Sequence, residues 1–123
     1  MARNEKYKAR KIRQSMEWQA RNPERTLLSS TKARAKLKKL DWELTDEYFY
    51  GRLAPMRCEV SGLPLTFDGR KHDPWRPSVD RIDPDKGYIP DNIQIVCWIY
   101  NRAKHTGSDE DVLLLAAALT GRI

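Results

Sequence analysis

Cysteine is scarce: only Cys58 and Cys97 occur in 123 residues, and they lie far apart. Two thiols do not make a disulfide framework, and no secretory signal precedes them, so a disulfide-stapled secreted domain is not the reading. Long apolar runs are missing as well. The longest, VLLLAAAL at residues 112–119, is far too short to cross a bilayer. There is no internal repeat. The expectation is an intracellular, cytoplasmic protein without a membrane partner, with enough chain for one domain and a modest core.

Charge is what the chain has in quantity. Charged residues make up 33% of it and hydrophobic residues 40%. The net charge of +6 is unevenly placed. Residues 1–40 hold thirteen Lys/Arg against three Glu, a net +10, and residues 41–123 hold ten against fourteen acids, a net −4. A basic N-terminal arm suggests a polyanion partner, and the acidic remainder suits a fold that holds a cation. The alternative for the arm is a solvated helix face.

The pattern divides into an arm, 1–40, and a core, 41–123. Residues 4–21 read as a basic helix with a broken apolar face. Asn22 is placed to cap a second helix, with Pro23 at its first position, running to about Leu40. Leu27, Leu28, Ala33, Ala35 and Leu37 would face the domain, and Lys32, Arg34, Lys36, Lys38 and Lys39 would form a basic flank for nucleic acid. Thr45 reads as the N-cap of a third helix. The segment DGRKHDPWRP reads as a loop, with Arg70, Lys71 and Arg76 able to extend a basic surface; Trp75 either joins that surface or, as expected here, lies in the core. SVDRID then reads as a strand, PDKGY as a turn, and IPDNIQIVC as a second strand leading into a helix through WIYNRAK. Ser108 and Asp111 suggest a capping-box start for a last helix, with Gly121 at its stop. The fold class expected is α+β.

Five residues in this strand–loop–strand–helix unit carry the chemistry: Asp80, Asn92, Asn101, Lys104 and His105. Asn101 and His105 are four apart, so they share a helix face. Asp80 at a strand end brings the negative charge that a hard cation such as Mg²⁺, or Mn²⁺, needs. Lys104 can reach a phosphate backbone or be an ordinary surface lysine. His105 is either a metal ligand or a last-turn cation favoured by the helix dipole. Asp80 is either a metal ligand or the partner of a nearby cation.

The stretch VDRIDP…DNIQIVCWIYNRAKH, residues 79–105, resembles the core of the HNH, or ββα-metal, nucleases, which reads roughly DH…P…N…CxxC(H/N)xxKH. The pairing of DN with NRAK resembles the HNH domain of CRISPR effectors. The upstream TKARAKLKKLDWELTDEYF…CEVSGLPL is similar to the lead-in of small phage-type members. The resemblance implies a ββα-metal core and a metal-dependent DNA endonuclease. It further implies Asp80 and Asn101 as metal ligands, His105 as a possible third, and Asn92 as the residue that bonds backbone across the loop and fixes the hairpin. It implies duplex DNA as partner, and since one such site cuts one strand, double-strand cleavage needs a dimer or two sequential events.

Two positions depart from the pattern. Where many HNH proteins carry paired CxxC motifs, this chain reads Cys58-Glu-Val-Ser61 and Cys97-Trp-Ile-Tyr100, so half of a Cys₄ set is missing and no structural zinc is expected. Trp98, Ile99, Val96, Ile95 and Leu65 are expected to form a core in its stead. The second departure is Arg81, which stands at the general-base position, although an arginine stays protonated in proteins. Three accounts follow: Arg81 stabilises charge on the phosphorane while another group or bulk water takes the proton; His72 or Tyr88 substitutes as base; or hydrolysis is lost and a DNA-binding module remains. A ribonuclease or RNA-binding role is a further class, because a basic arm suits any polyanion.

Overall fold

The computed structural model describes residues 3–70 and 73–121, and side chains from Asn4 onward. Lys71 and His72 lie outside the described residues. In chain order the elements are α1 (Arg3–Arg21), α2 (Pro23–Leu37), α3 (Asp46–Leu53), β1 (Pro77–Arg81), β2 (Ile93–Cys97), α4 (Trp98–Lys104) and α5 (Asp109–Leu119), with a 3₁₀ turn at Pro90–Asn92. β1 and β2 pair antiparallel, with Pro77 opposite Cys97, Val79 opposite Ile95, and Asp80 opposite Gln94. The architecture is α+β, centred on a β-hairpin followed directly by a helix.

Alternation along the hairpin separates its two jobs. Side chains of a strand point to opposite faces in turn. Val79, Ile93, Ile95 and Cys97 share one face and join the core with Leu28 and Ala35 of α2, Phe49 and Leu53 of α3, and Leu44, Cys58, Leu65 and Tyr88. Ser78, Asp80 and Gln94 share the other face, and all three are buried although polar. That polar face is covered by α4, which starts at the residue after β2 and so folds straight back over the hairpin.

The 11-residue connection between the strands is held by one amide. Asn92 Oδ1 accepts from the Asp83 N–H at 2.8 Å, and its Nδ2 donates to the carbonyls of Asp83 (3.0 Å) and Gly87 (2.9 Å). The same loop docks on the segment before α3. Tyr88 N–H donates to Asp41 O at 2.8 Å, and Glu43 N–H donates to Tyr88 O at 2.9 Å. Gly87 permits this approach, since a Cβ there would lie 2.6 Å from Asp41 O and 2.7 Å from Asp41 N.

Helix starts follow local chemistry in two of three places. The Thr45 side chain accepts from the Tyr48 N–H, and Ser108 and Asp111 form a reciprocal capping box. Asn22 differs from expectation: its side chain caps nothing, because Nδ2 instead donates back to Trp18 O at 2.8 Å. Gly121 takes φ +71 just beyond α5, where a left-handed residue ends a helix.

Several apolar expectations also fail. Leu37 and Ala33 face solvent, because α2 turns only Leu28, Thr31 and Ala35 fully inward. Trp75 and Ile99, expected in the core, are 43% and 47% exposed. α4 packs through Asn101 and Lys104 rather than through Ile99. Trp98 is half-buried, while Ile95, Val96 and Leu65 are buried. All described side chains of α1 are exposed, whereas α2 contributes to the core cluster.

Replacing Asn92 with alanine strands one N–H and two carbonyls in a buried loop. Asn92→Ala is expected to lower stability by about 3 kcal/mol, read as a lower urea midpoint with an unchanged slope.

Candidate functional site

Asp80 is the penultimate residue of β1 and only 4% exposed. A buried carboxylate needs partners. It has two, both on the same oxygen: Gln94 Nε2 and Lys104 Nζ each donate to Oδ2 at 2.7 Å. Gln94 is its cross-strand neighbour. Lys104 comes from the last turn of α4, one helical turn beyond Asn101.

Lys104 is thus a correction to its expected place at a phosphate. Its side chain is 1% exposed. Its three N–H donors are all engaged, by Asp80 Oδ2, by Arg81 O at 3.1 Å and by Ile82 O at 3.2 Å. An ammonium has three donors and no more, so none is left for an external anion. The pair extends outward to α5. Asp109 Oδ1 accepts from Gln94 Nε2 at 3.3 Å, lies 3.8 Å from Lys104 Nζ, and accepts from the Tyr100 hydroxyl. Burial, and then the hydrogen bond to Asp109, push the Tyr100 hydroxyl well above the usual tyrosine range, so it remains a donor.

Asn101 sits on the same helix face. Its Nδ2 donates to Ser78 Oγ at 2.6 Å and more weakly to Val79 O at 3.5 Å. Its Oδ1 takes no hydrogen bond among the described residues, and neither does Asp80 Oδ1. No buried side-chain polar atom among the described residues lacks a partner, so both oxygens are solvent-accessible. His105 caps α4 with φ +47, an uncommon backbone state for a residue with a side chain, and is exposed.

Asp80, Asn101 and His105 all line one cleft of about 350 Å³. Its remaining wall is rich in cations: Arg81 from β1, Arg102 from α4, Arg34 from α2 and Lys38 just beyond it. Arg81 is partly engaged, donating through Nη1 to Pro84 O and to Lys86 O (3.2 Å), with its guanidinium 5.7 Å from the centre of the Tyr88 ring. The Tyr88 ring is buried in the core, and Tyr88 also lines the cleft. Of the other lysines of the basic flank, Lys32 pairs with Asp46 at 2.9 Å, and Lys36 and Lys39 are exposed and do not line the cleft.

This donor set fits a lightly held hard cation. Among the described residues no three His, Cys, Asp or Glu side chains come together. One carboxylate oxygen and one amide oxygen, both solvent-accessible on residues that line the cleft, are hard donors of the kind a divalent cation such as Mg²⁺ takes beside its waters. His105 on the rim is the third protein group available.

Sequence reasoning missed four contributors. Gln94 and Ser78 are ordinary polar strand residues until the register places them against Asp80 and Asn101. Asp109 lies in the first turn of α5, and only the packing of α5 brings it to Gln94 and Lys104. Arg102 had a signal, since it adjoins Asn101, and it stacks 5.4 Å from the Trp98 ring centre. Away from the cleft, Cys58 and Cys97 are both buried free thiols. Burial opposes the Cys58 thiolate, yet bonds from the Ser61 hydroxyl and nearby backbone N–H groups bring that thiol below its usual range, while burial holds Cys97 above it.

No protein-family model matches the chain, and no curated protein matches it. Among solved structures it is similar to the rare-cutting HNH restriction endonuclease PacI, a protein described for its mechanism of DNA perturbation. The TM-score is 0.60 and the identity 22%, over 80% of this chain and 77% of that one. The chain has an HNH-type fold.

Lys104→Met leaves Asp80 buried beside Gln94 alone. It is expected to cost about 3–5 kcal/mol, and the double variant Asp80→Asn/Lys104→Met to recover much of that loss, because breaking a buried pair costs more than deleting it. Urea unfolding of the two single variants and the double variant measures the coupling.

Proposed function

We propose that the protein is a metal-dependent HNH-type endonuclease that hydrolyses phosphodiester bonds of DNA. The observation that carries this reading is the cleft itself: Asp80 Oδ1 and Asn101 Oδ1 open onto a space rimmed by Arg34, Lys38, Arg81 and Arg102. A phosphodiester is an anion that needs a cationic rim, and its hydrolysis needs a hard cation at one oxygen. A Mg²⁺ or Mn²⁺ held there would polarise the phosphate and lower the pKa of a bound water.

In this reading Asp80 and Asn101 hold the cation and His105 completes the set. Arg81 binds the phosphate and offsets charge as it builds on the phosphorane. It is not the base, since arginine does not release its proton. Arg34, Lys38 and Arg102 bind flanking phosphates. α1 and the basic flank of α2, Lys32, Lys36 and Lys39 included, form the arm that follows the backbone of duplex DNA. Such contacts position the protein without naming a sequence. No described helix is long and apolar enough to cross a membrane.

One observation favours a second reading, an inert DNA-binding module. Asp80 is already neutralised by Lys104, and Arg81 already binds loop carbonyls. Metal-dependent cleavage separates the two readings, and competition between duplex DNA and RNA tests the ribonuclease alternative.

Supercoiled plasmid incubated with Mg²⁺, Mn²⁺ or EDTA is the direct test. Nicking is expected with either metal and not with EDTA. Asp80→Ala is expected to abolish it, and Arg81→Ala to slow it by about a hundredfold or more, the usual loss for a donor that stabilises transition-state charge. His72→Ala is expected to nick like wild type. Absence of nicking on every substrate, with DNA binding intact, would favour the inert module.

Binding follows a separate prediction. Arg34→Ala/Lys38→Ala is expected to weaken duplex binding and to flatten the slope of log K against log salt by about two. Fluorescence anisotropy at several salt concentrations reads both.

A further inference from the structure

We infer that Gln94 and Lys104 are positioning residues for Asp80: by holding Oδ2 between them they leave Oδ1 as the single oxygen offered to a divalent cation. The inference rests on the metal-dependent reading above and names the device that makes that site selective for one carboxylate geometry. A free carboxylate turns about its Cβ–Cγ bond and offers either oxygen or both. Here two donors at 2.7 Å converge on one oxygen from different elements, Gln94 from β2 and Lys104 from α4. Neither donor is free to follow a rotation. Lys104 is tied to the carbonyls of Arg81 and Ile82, and Gln94 is tied to Asp109 Oδ1. Asp109 is itself held by the Tyr100 hydroxyl. The chain of bonds therefore runs from the start of α5, through Asp109, to the carboxylate.

The geometry assigns the two donors different weights in a test. Removing the Lys104 ammonium would by charge alone raise affinity for a cation, which opposes any loss from misplacement. Gln94 is uncharged, so Gln94→Met removes the orienting bond and keeps length and charge. Outer partners of a metal ligand are commonly worth 10–100-fold in affinity.

The experiment is Mn²⁺ binding to the full chain, read from the electron paramagnetic resonance of the free ion, with plasmid nicking run over the same Mn²⁺ range. Wild type, Asp80→Asn and Gln94→Met are compared, with circular dichroism to confirm folding. Gln94→Met is expected to bind Mn²⁺ about tenfold more weakly, the low end for such a partner, while its nicking rate at saturating Mn²⁺ stays near that of wild type. A merely structural glutamine would change the melting temperature and leave the Mn²⁺ affinity alone. Wild-type affinity in folded Gln94→Met overturns the inference and leaves the nuclease reading standing. Absence of Mn²⁺ binding and of nicking in the wild type overturns both. If Gln94→Met does not fold, Gln94→Leu takes its place, since it too removes the amide donor without a change of charge. A threefold or greater loss of affinity then supports the inference, and an unchanged affinity overturns it.

Discussion

Lys104 and Asp80 bring opposite charges together inside the protein, at 2.7 Å and almost without solvent. Desolvating two ions is expensive, and their attraction repays it only when the remaining lone pairs and protons are also satisfied. Here they are. The ammonium uses its other two donors on the carbonyls that end β1, and the carboxylate oxygen takes a second bond from Gln94. The consequence is geometric as much as energetic. α4 is only seven residues long, and an isolated helix of that length is not stable. The buried pair and the Asn101–Ser78 bond are what press it onto the polar face of the hairpin. β1, β2, α4 and, through Asp109, α5 are all fixed relative to one carboxylate.

The division of the hairpin into an apolar and a polar face explains why such a small sheet can carry a site. A two-stranded ribbon alone is marginal in water. This one is covered on its apolar face by α2, α3 and the Leu44–Tyr88 region, with tilted ring contacts between Trp42 and both Phe49 and Tyr88. α3 is joined to it by Arg52, whose guanidinium donates to Ile93 O at 3.1 Å while pairing with Glu59. That support leaves the polar face free to bury Ser78, Asp80 and Gln94, residues that would otherwise weaken a core.

Much of this was legible because it is local. The strand–turn–strand–helix order around Asp80, the Thr45 cap and the Ser108–Asp111 box depend on residues close in sequence. What failed depends on distance. Lys104 reads as a surface lysine until α4 is laid across β1, and only then does its ammonium lie under Asp80. Gln94 gains meaning only from the register that sets it opposite Asp80, and that register is fixed by Asn92 reaching back to Asp83 and Gly87. Trp75 and Ile99 read as core by composition alone, yet the positions that α4 turns inward are taken by polar groups. Leu37 fails for a similar reason, since α2 buries one narrow stripe and the chain leaves it at Lys38.

The same geometry bears on why an arginine follows Asp80. Arg81 is the last residue of β1, and its guanidinium leans over the buried Tyr88 ring and bonds the carbonyls of Pro84 and Lys86. One end of its fork is therefore spent on holding the loop against the hairpin. A guanidinium has five N–H donors. Nη1 alone accounts for the loop bonds, so the other donors remain for the cleft that Arg81 lines. A histidine at that position has two ring nitrogens and a shorter reach, and could not both brace the loop and face a phosphate. The arginine thus joins two tasks, a brace for the loop that Asn92 closes and a fixed positive charge beside the carboxylate that Lys104 and Gln94 hold. A cation at this position that cannot lose its proton can offset negative charge in the cleft but cannot take up a proton.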